Sequence, residues 1–194
     1  DYRGASVSAN RIAKLDMTTG ALDTTFNPPA NNGFNDYVSA FAVSGTSLYV
    51  GGSFTAYRGA ANSANRLAKV DLTTGALDTT FSPPGAGSNG FDSRVAALLA
   101  NGTSLYVGGA FNAYKGVANS ARRLAKLDLT SGALDTTFSP PGASANGFDE
   151  GVLSFASSGT SLYAAGYFTS YKGVATSAYS LAKLDLTSGA IDTT

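Results

Sequence analysis

A chain of 194 residues with 23 Gly, no Cys, no His and only 13% charged residues has the composition of short strands and turns rather than helices. Thirteen Lys and Arg balance thirteen Asp and Glu with no basic run, so neither nucleic acid nor an anionic membrane has an electrostatic footprint here. Hydrophobic residues make up 43%, enough for a packed core, and the longest apolar stretches fall far short of the ~20 residues a membrane-spanning helix needs.

Self-similarity organises the chain. Tyr2, Tyr57, Tyr114 and Tyr171 open equivalent segments 55, 57 and 57 residues apart. The expected organisation is one repeat array over 1–194, with repeats 1–55, 56–112 and 113–169 and a partial repeat 170–194 that duplicates the first 25 residues. Without an initiating Met or a signal pattern, the start reads as a mature or excised end.

Residues 66–72 alternate around Ala68, Val70 and Leu72 and predict a strand, C. Thr73-Thr74-Gly75 turns the chain into a further strand, D, over 76–81, which Pro83-Pro84 stops. Residues 95–100 predict strand A, Asn101-Gly102 a tight turn, and 103–111 strand B. Four antiparallel strands per period of about 57 residues predict an all-β propeller blade, with small residues at Gly51-Gly52 and Gly108-Gly109 letting neighbouring blades approach. Residues 1–26 hold only C and D, so the array counts three and a half blades, an arc of a larger propeller with apolar faces open at both ends.

The run 67–81, Leu-Ala-Lys-Val-Asp-Leu-Thr-Thr-Gly-Ala-Leu-Asp-Thr-Thr-Phe, and the run 105–111, Leu-Tyr-Val-Gly-Gly-Ala-Phe, resemble the delta-60 type of bacterial β-propeller repeat. The resemblance spans essentially the whole chain and departs from the motif at Ala164-Ala165-Gly166-Tyr167. It implies a secreted or surface protein, wall-anchored or fibre-like, displayed outside the cell, and no catalytic residue.

With no His, no Cys and a single Glu, Glu150, the usual triads, thiolate nucleophiles and His-ligated metals cannot be built, so no enzyme, cofactor or metal is expected. Lys69 and Asp71 lie two apart and share a strand face, where they can pair with each other or across blades. Asp78 reads as a turn cap in preference to a calcium ligand, and Phe81, Phe91 and Phe111 as filling between blades. Strand direction sends the D-to-A and B-to-C connections to one face. That long-loop face carries the candidate ligand-binding residues Tyr57, Arg58, Asn65, Arg66, Asp92, Arg94, Tyr114, Arg122 and Tyr171. The tyrosines read either as packing residues with an exposed hydroxyl or as carbohydrate-stacking platforms. The expected role is adhesion to a surface glycan or protein on another cell, the alternative a structural spacer, with further repeats of the same polypeptide as neighbours.

Overall fold

The computed structural model describes residues 9–28, 32–83, 89–140, 146–175 and 177–193. Tyr2 and Pro84 of the sequence reading fall outside them. Nine strands appear in chain order: β1 (Val38–Ser44), β2 (Ser47–Gly52), β3 (Leu67–Asp71), β4 (Val95–Asn101), β5 (Ser104–Gly109), β6 (Leu124–Asp128), β7 (Val152–Ser158), β8 (Ser161–Gly166) and β9 (Leu181–Asp185). They form three antiparallel sheets of three strands in the orders β1-β2-β3, β4-β5-β6 and β7-β8-β9. No helix occurs among the described residues.

Strands A, B and C therefore form where alternation and turn chemistry place them, but the blades are three-stranded rather than four-stranded. The expected D strand shrinks to one bridge per repeat, Leu77 opposite Val70, Leu134 opposite Leu127 and Ile191 opposite Leu184. The reason lies one residue further on. The Asp78 carboxylate accepts the amides of Thr80 and Phe81 and the Thr80 hydroxyl, at 3.0, 3.1 and 2.6 Å. Those amides close a turn instead of extending a ladder.

Between blades the packing repeats. β1 lies against β4 and β4 against β7. One core cluster joins Tyr49, Leu67 and Phe81 of the first blade to Val95, Leu105, Leu127 and Leu129 of the second. Another joins Tyr106, Leu124 and Phe138 to Val152, Leu162, Leu184 and Leu186 of the third, and a third cluster joins Ile12 and Phe26 to the first blade. Two of these interfaces are also bolted by a tyrosine: the Tyr49 hydroxyl donates to the Leu129 carbonyl and that of Tyr106 to the Leu186 carbonyl, both at 2.6 Å. Burial, with the nearby carboxylates of Asp78 and Asp128, pushes the Tyr49 hydroxyl up to about 12.

The glycines of strand B are required by this approach. A Cβ on Gly51 would stand 2.5 Å from a methyl of Val95 in the next blade, and one on Gly108 would stand 2.7 Å from a methyl of Val152. The third sheet does not pack back onto the first, so the described residues form an open series of blades and no closed ring.

Lys69 pairs with Asp78 at 3.0 Å and Lys126 with Asp135 at 3.1 Å, not with Asp71 or Asp128 as sequence spacing suggested. Asp71 instead caps the C-to-D turn, accepting the amides of Thr73 and Thr74 and the Thr74 hydroxyl. Burial acts to raise the Asp78 and Asp135 carboxyls, but the Thr hydroxyl, the Lys and two amides outweigh it and hold both at about 2. Because these groups are depressed in the fold, their contribution is present above the ordinary carboxylate value of 3.8 and disappears as pH falls through about 2. Chemical denaturation at stepped pH should show stability falling between those limits, and Asp78→Asn should flatten that fall.

Candidate functional site on the long-loop face

The two long connections of each repeat meet on one face, as strand direction demands. Arg58, Lys115 and Lys172 donate their amides to the carbonyls of Gly33, Gly90 and Gly147 at 2.7 Å. Phe34, Phe91 and Phe148 bridge to Tyr57, Tyr114 and Tyr171. Asp92 spans the same pair of loops, accepting the amides of Asn112 and Ala113 at 2.9 and 3.0 Å. Asp149 does likewise with Thr169 and Ser170, and despite the opposing effect of burial these bonds hold its carboxyl far below the usual range.

Most of the residues singled out from the sequence are consumed by this framework. Tyr57, Tyr114 and Tyr171 are buried, and their hydroxyls donate to the carbonyls of Gly75, Gly132 and Gly189 at 2.7, 2.8 and 2.7 Å. The readings of an exposed hydroxyl and of a stacking platform are both corrected: each ring lies beside a phenylalanine, Phe34, Phe91 or Phe148, at 4.6 to 4.7 Å between centroids. Arg58 reaches back to the Phe26 carbonyl at 2.8 Å and the Thr74 carbonyl at 2.9 Å. Lys115 and Lys172 make the same reach to Phe81 and Phe138, at 3.2 Å each. These cations clamp one repeat to the one before.

Asn65 is buried, its amide donating to Asn89 Oδ1 and its carbonyl accepting the Phe91 amide. Arg66 and Arg123 adopt positive φ, 61° and 62°, at the entry to strand C. Arg66 donates to the Phe91 carbonyl at 3.5 Å, while Arg123 donates to the Phe111 carbonyl and to the side chain of Asn112. Arg122 is half-buried. Of the nine candidates, Arg94 and Asp92 alone are exposed, and Arg94 Nε donates to Ser39 Oγ of the preceding blade at 3.2 Å.

The aromatic side chains that stand exposed here are Tyr37, Tyr167 and Tyr179, 69%, 72% and 64% exposed. Tyr37 stands directly before β1 with the Arg11 guanidinium 5.4 Å from its ring centre. Tyr167 follows β8, and Tyr179 precedes β9. The two segments are tied by the Gly166 amide on the Ser180 carbonyl and the Ser180 amide on that of Phe168. None of the three is among the nine candidates, which joined the recurring tyrosines to polar positions that differ between repeats. The usable signal was a tyrosine that does not recur: Tyr37 aligns with Arg94 and Gly151, and Tyr167 with Ser53 and Ala110, so no packing role repeats there.

Residues 47–81 and 104–138 match the family described as "Domain of unknown function (DUF5122) beta-propeller". No curated protein matches. Among solved structures, the chain is similar to the computationally designed Ika4 protein, at 14% identity and a TM-score of 0.49, covering 82% of this chain and 72% of that one. It is also similar to the computationally designed Ika8 protein, at 15% identity and a TM-score of 0.45, covering 82% of this chain and 36% of that one. Each matched segment runs from the start of a blade's second strand to the phenylalanine that enters the next interface, Phe81 or Phe138, so the similarity to a β-propeller model follows the chain's own repeat.

Proposed function

We propose that the chain is a non-catalytic binding or display module of a bacterial surface protein, belonging to the delta-60 type of propeller repeat and working outside the cell. Adhesion to a glycan or protein through the long-loop face is its role. The observation that carries this reading is the contrast between recurring and non-recurring tyrosines. Tyr57, Tyr114 and Tyr171 are buried scaffold, whereas Tyr37, Tyr167 and Tyr179 are exposed to solvent, Tyr37 with the Arg11 guanidinium 5.4 Å from its ring centre. Exposed aromatic rings suit stacking on sugar rings and packing against protein.

A glycan and protein array with the intact chain tests it. Tyr37→Ser, Tyr167→Ser and Tyr179→Ser together should lower binding at least tenfold and leave the melting temperature within about 2 °C of the parent, because no core contact is removed. Equal binding by the triple variant would contradict adhesion through this face. It would favour the second reading, a structural spacer, whose support is that nearly every recurring polar side chain is spent on bonds within and between repeats.

A further inference from the structure

The dipeptide Asn-Gly occurs four times, as Asn32-Gly33, Asn89-Gly90, Asn101-Gly102 and Asn146-Gly147. It is chemically labile: the glycine amide nitrogen, with no neighbouring Cβ to shield it, can attack the side-chain carbonyl carbon of the asparagine. The fold treats the four copies in two ways. Asn32, Asn89 and Asn146 are buried, and their side chains are held. Asn32 Oδ1 accepts the Asn10 amide, Asn89 Nδ2 donates to the carbonyls of Asn62 and Pro83 at 2.8 and 3.0 Å, and Asn146 Nδ2 donates to those of Asn119 and Pro140. Their glycines are wedged too: a Cβ on Gly33, Gly90 or Gly147 would stand 1.8, 2.0 or 1.9 Å from the carbonyl oxygen of Asn10, Asn65 or Arg122. Main chain so enclosed cannot swing into ring-closing geometry without opening the packing around it.

Asn101 differs on each count. It ends β4 at the A-to-B turn and is exposed, and Gly102 lies between the paired residues Asn101 and Ser104, outside the ladder. Nothing stands within 4 Å of a Cβ placed on Gly102. The Asn101 side chain makes a surface contact, Nδ2 donating to Ser157 Oγ of the third blade at 3.3 Å. The matching turns of the first and third blades carry Ser44 and Ser158, which have no side-chain amide to lose.

We propose that Asn101 is a site of spontaneous deamidation, a covalent change confined to the turn of the middle blade. Gly102 N attacks Asn101 Cγ and gives up its proton to solvent, the bond from Cγ to the side-chain nitrogen breaks, and ammonia leaves a succinimide behind. Water opens that ring at either carbonyl, giving aspartate or, with the main chain rerouted through the former side chain, isoaspartate. No oxidant or reductant takes part. Either product adds a negative charge to a chain of zero net charge and removes the amide that reaches Ser157. Isoaspartate also inserts one carbon into the main chain where the pairing of Asn101 with Ser104 closes the hairpin. The middle blade thus carries a slow, one-way change at its contact with the third.

Trypsin releases the four dipeptides on separate fragments, Asn101 between Arg94 and Lys115, so mass mapping follows each one. In the folded full chain held in mildly alkaline buffer, conversion at Asn101 should outpace the other three by about tenfold or more, because ring closure there requires no local unfolding. An isoaspartyl methyltransferase should label the product, and Asn101→Ser should abolish the label. In urea all four should convert at similar rates. Chain converted at Asn101 should melt a few degrees below the Asn101→Ser variant, and an equal melt would remove the effect on the contact with the third blade. Similar rates at all four sites in the folded chain, or conversion at Asn101 as slow as at the buried three, would overturn the proposal.

Discussion

Phe81→Ala should destabilise the chain by about 3 to 5 kcal/mol, the usual cost of emptying a fully enclosed phenylalanine site. Phe81 is completely buried, touches Tyr49 within its own blade, and lies against Gly132 of the next, whose Cβ position is 3.1 Å from the ring. Its carbonyl also accepts Lys115, so the residue holds two blades by ring and backbone together. Phe26→Ala removes the same ring at an interface that already contains an open cleft, and should cost less because fewer neighbours lose contact. Urea titrations of the two variants measure the difference. Equal losses would mean that the two interfaces are packed alike.

Gly108→Val is expected to cost about 3 kcal/mol, the upper end for overpacking. Even its first added carbon would stand 2.7 Å from the Val152 methyl and 2.8 Å from the Phe155 ring, and Val152 is fully buried, with no room to withdraw. The counterpart in the third blade is already alanine, Ala165, half-buried where no described blade follows. Ala165→Val should therefore change stability by less than about 1 kcal/mol. A loss at position 165 as large as that at 108 would show that the glycines serve strand geometry within a blade rather than approach between blades.

Much of this fold was legible from residue spacing. Strands A, B and C follow from alternation bounded by Asn101-Gly102 and Thr73-Thr74-Gly75, and Gly102 and Gly75 do adopt positive φ of 58° and 63°. What alternation could not show was the fate of residues 76–81. Their pattern suits a strand, but the Asp78 carboxylate is close enough to compete for the amides of Thr80 and Phe81, and a local cap beats a ladder whose far side has no partner.

The candidate site was less legible for a related reason. Recurrence marks a residue as needed in every repeat, and a tyrosine such as Tyr114 satisfies that need by donating to a carbonyl 18 residues away in its own blade. Loop position alone does not reveal such a bond, so a buried hydroxyl and an exposed one look identical in sequence. Arg58 misleads in the same way, since its guanidinium answers a backbone carbonyl 32 residues earlier instead of solvent.

A crystal structure of the intact chain, at a resolution that places side chains, tests the stacking of repeats most directly. It should show three-stranded sheets in open succession, with the Tyr49 and Tyr106 hydroxyls on the carbonyls of Leu129 and Leu186 and with Phe81 and Phe138 enclosed between blades. Hydroxyls directed to solvent, or a third sheet packed back onto the first, would contradict it.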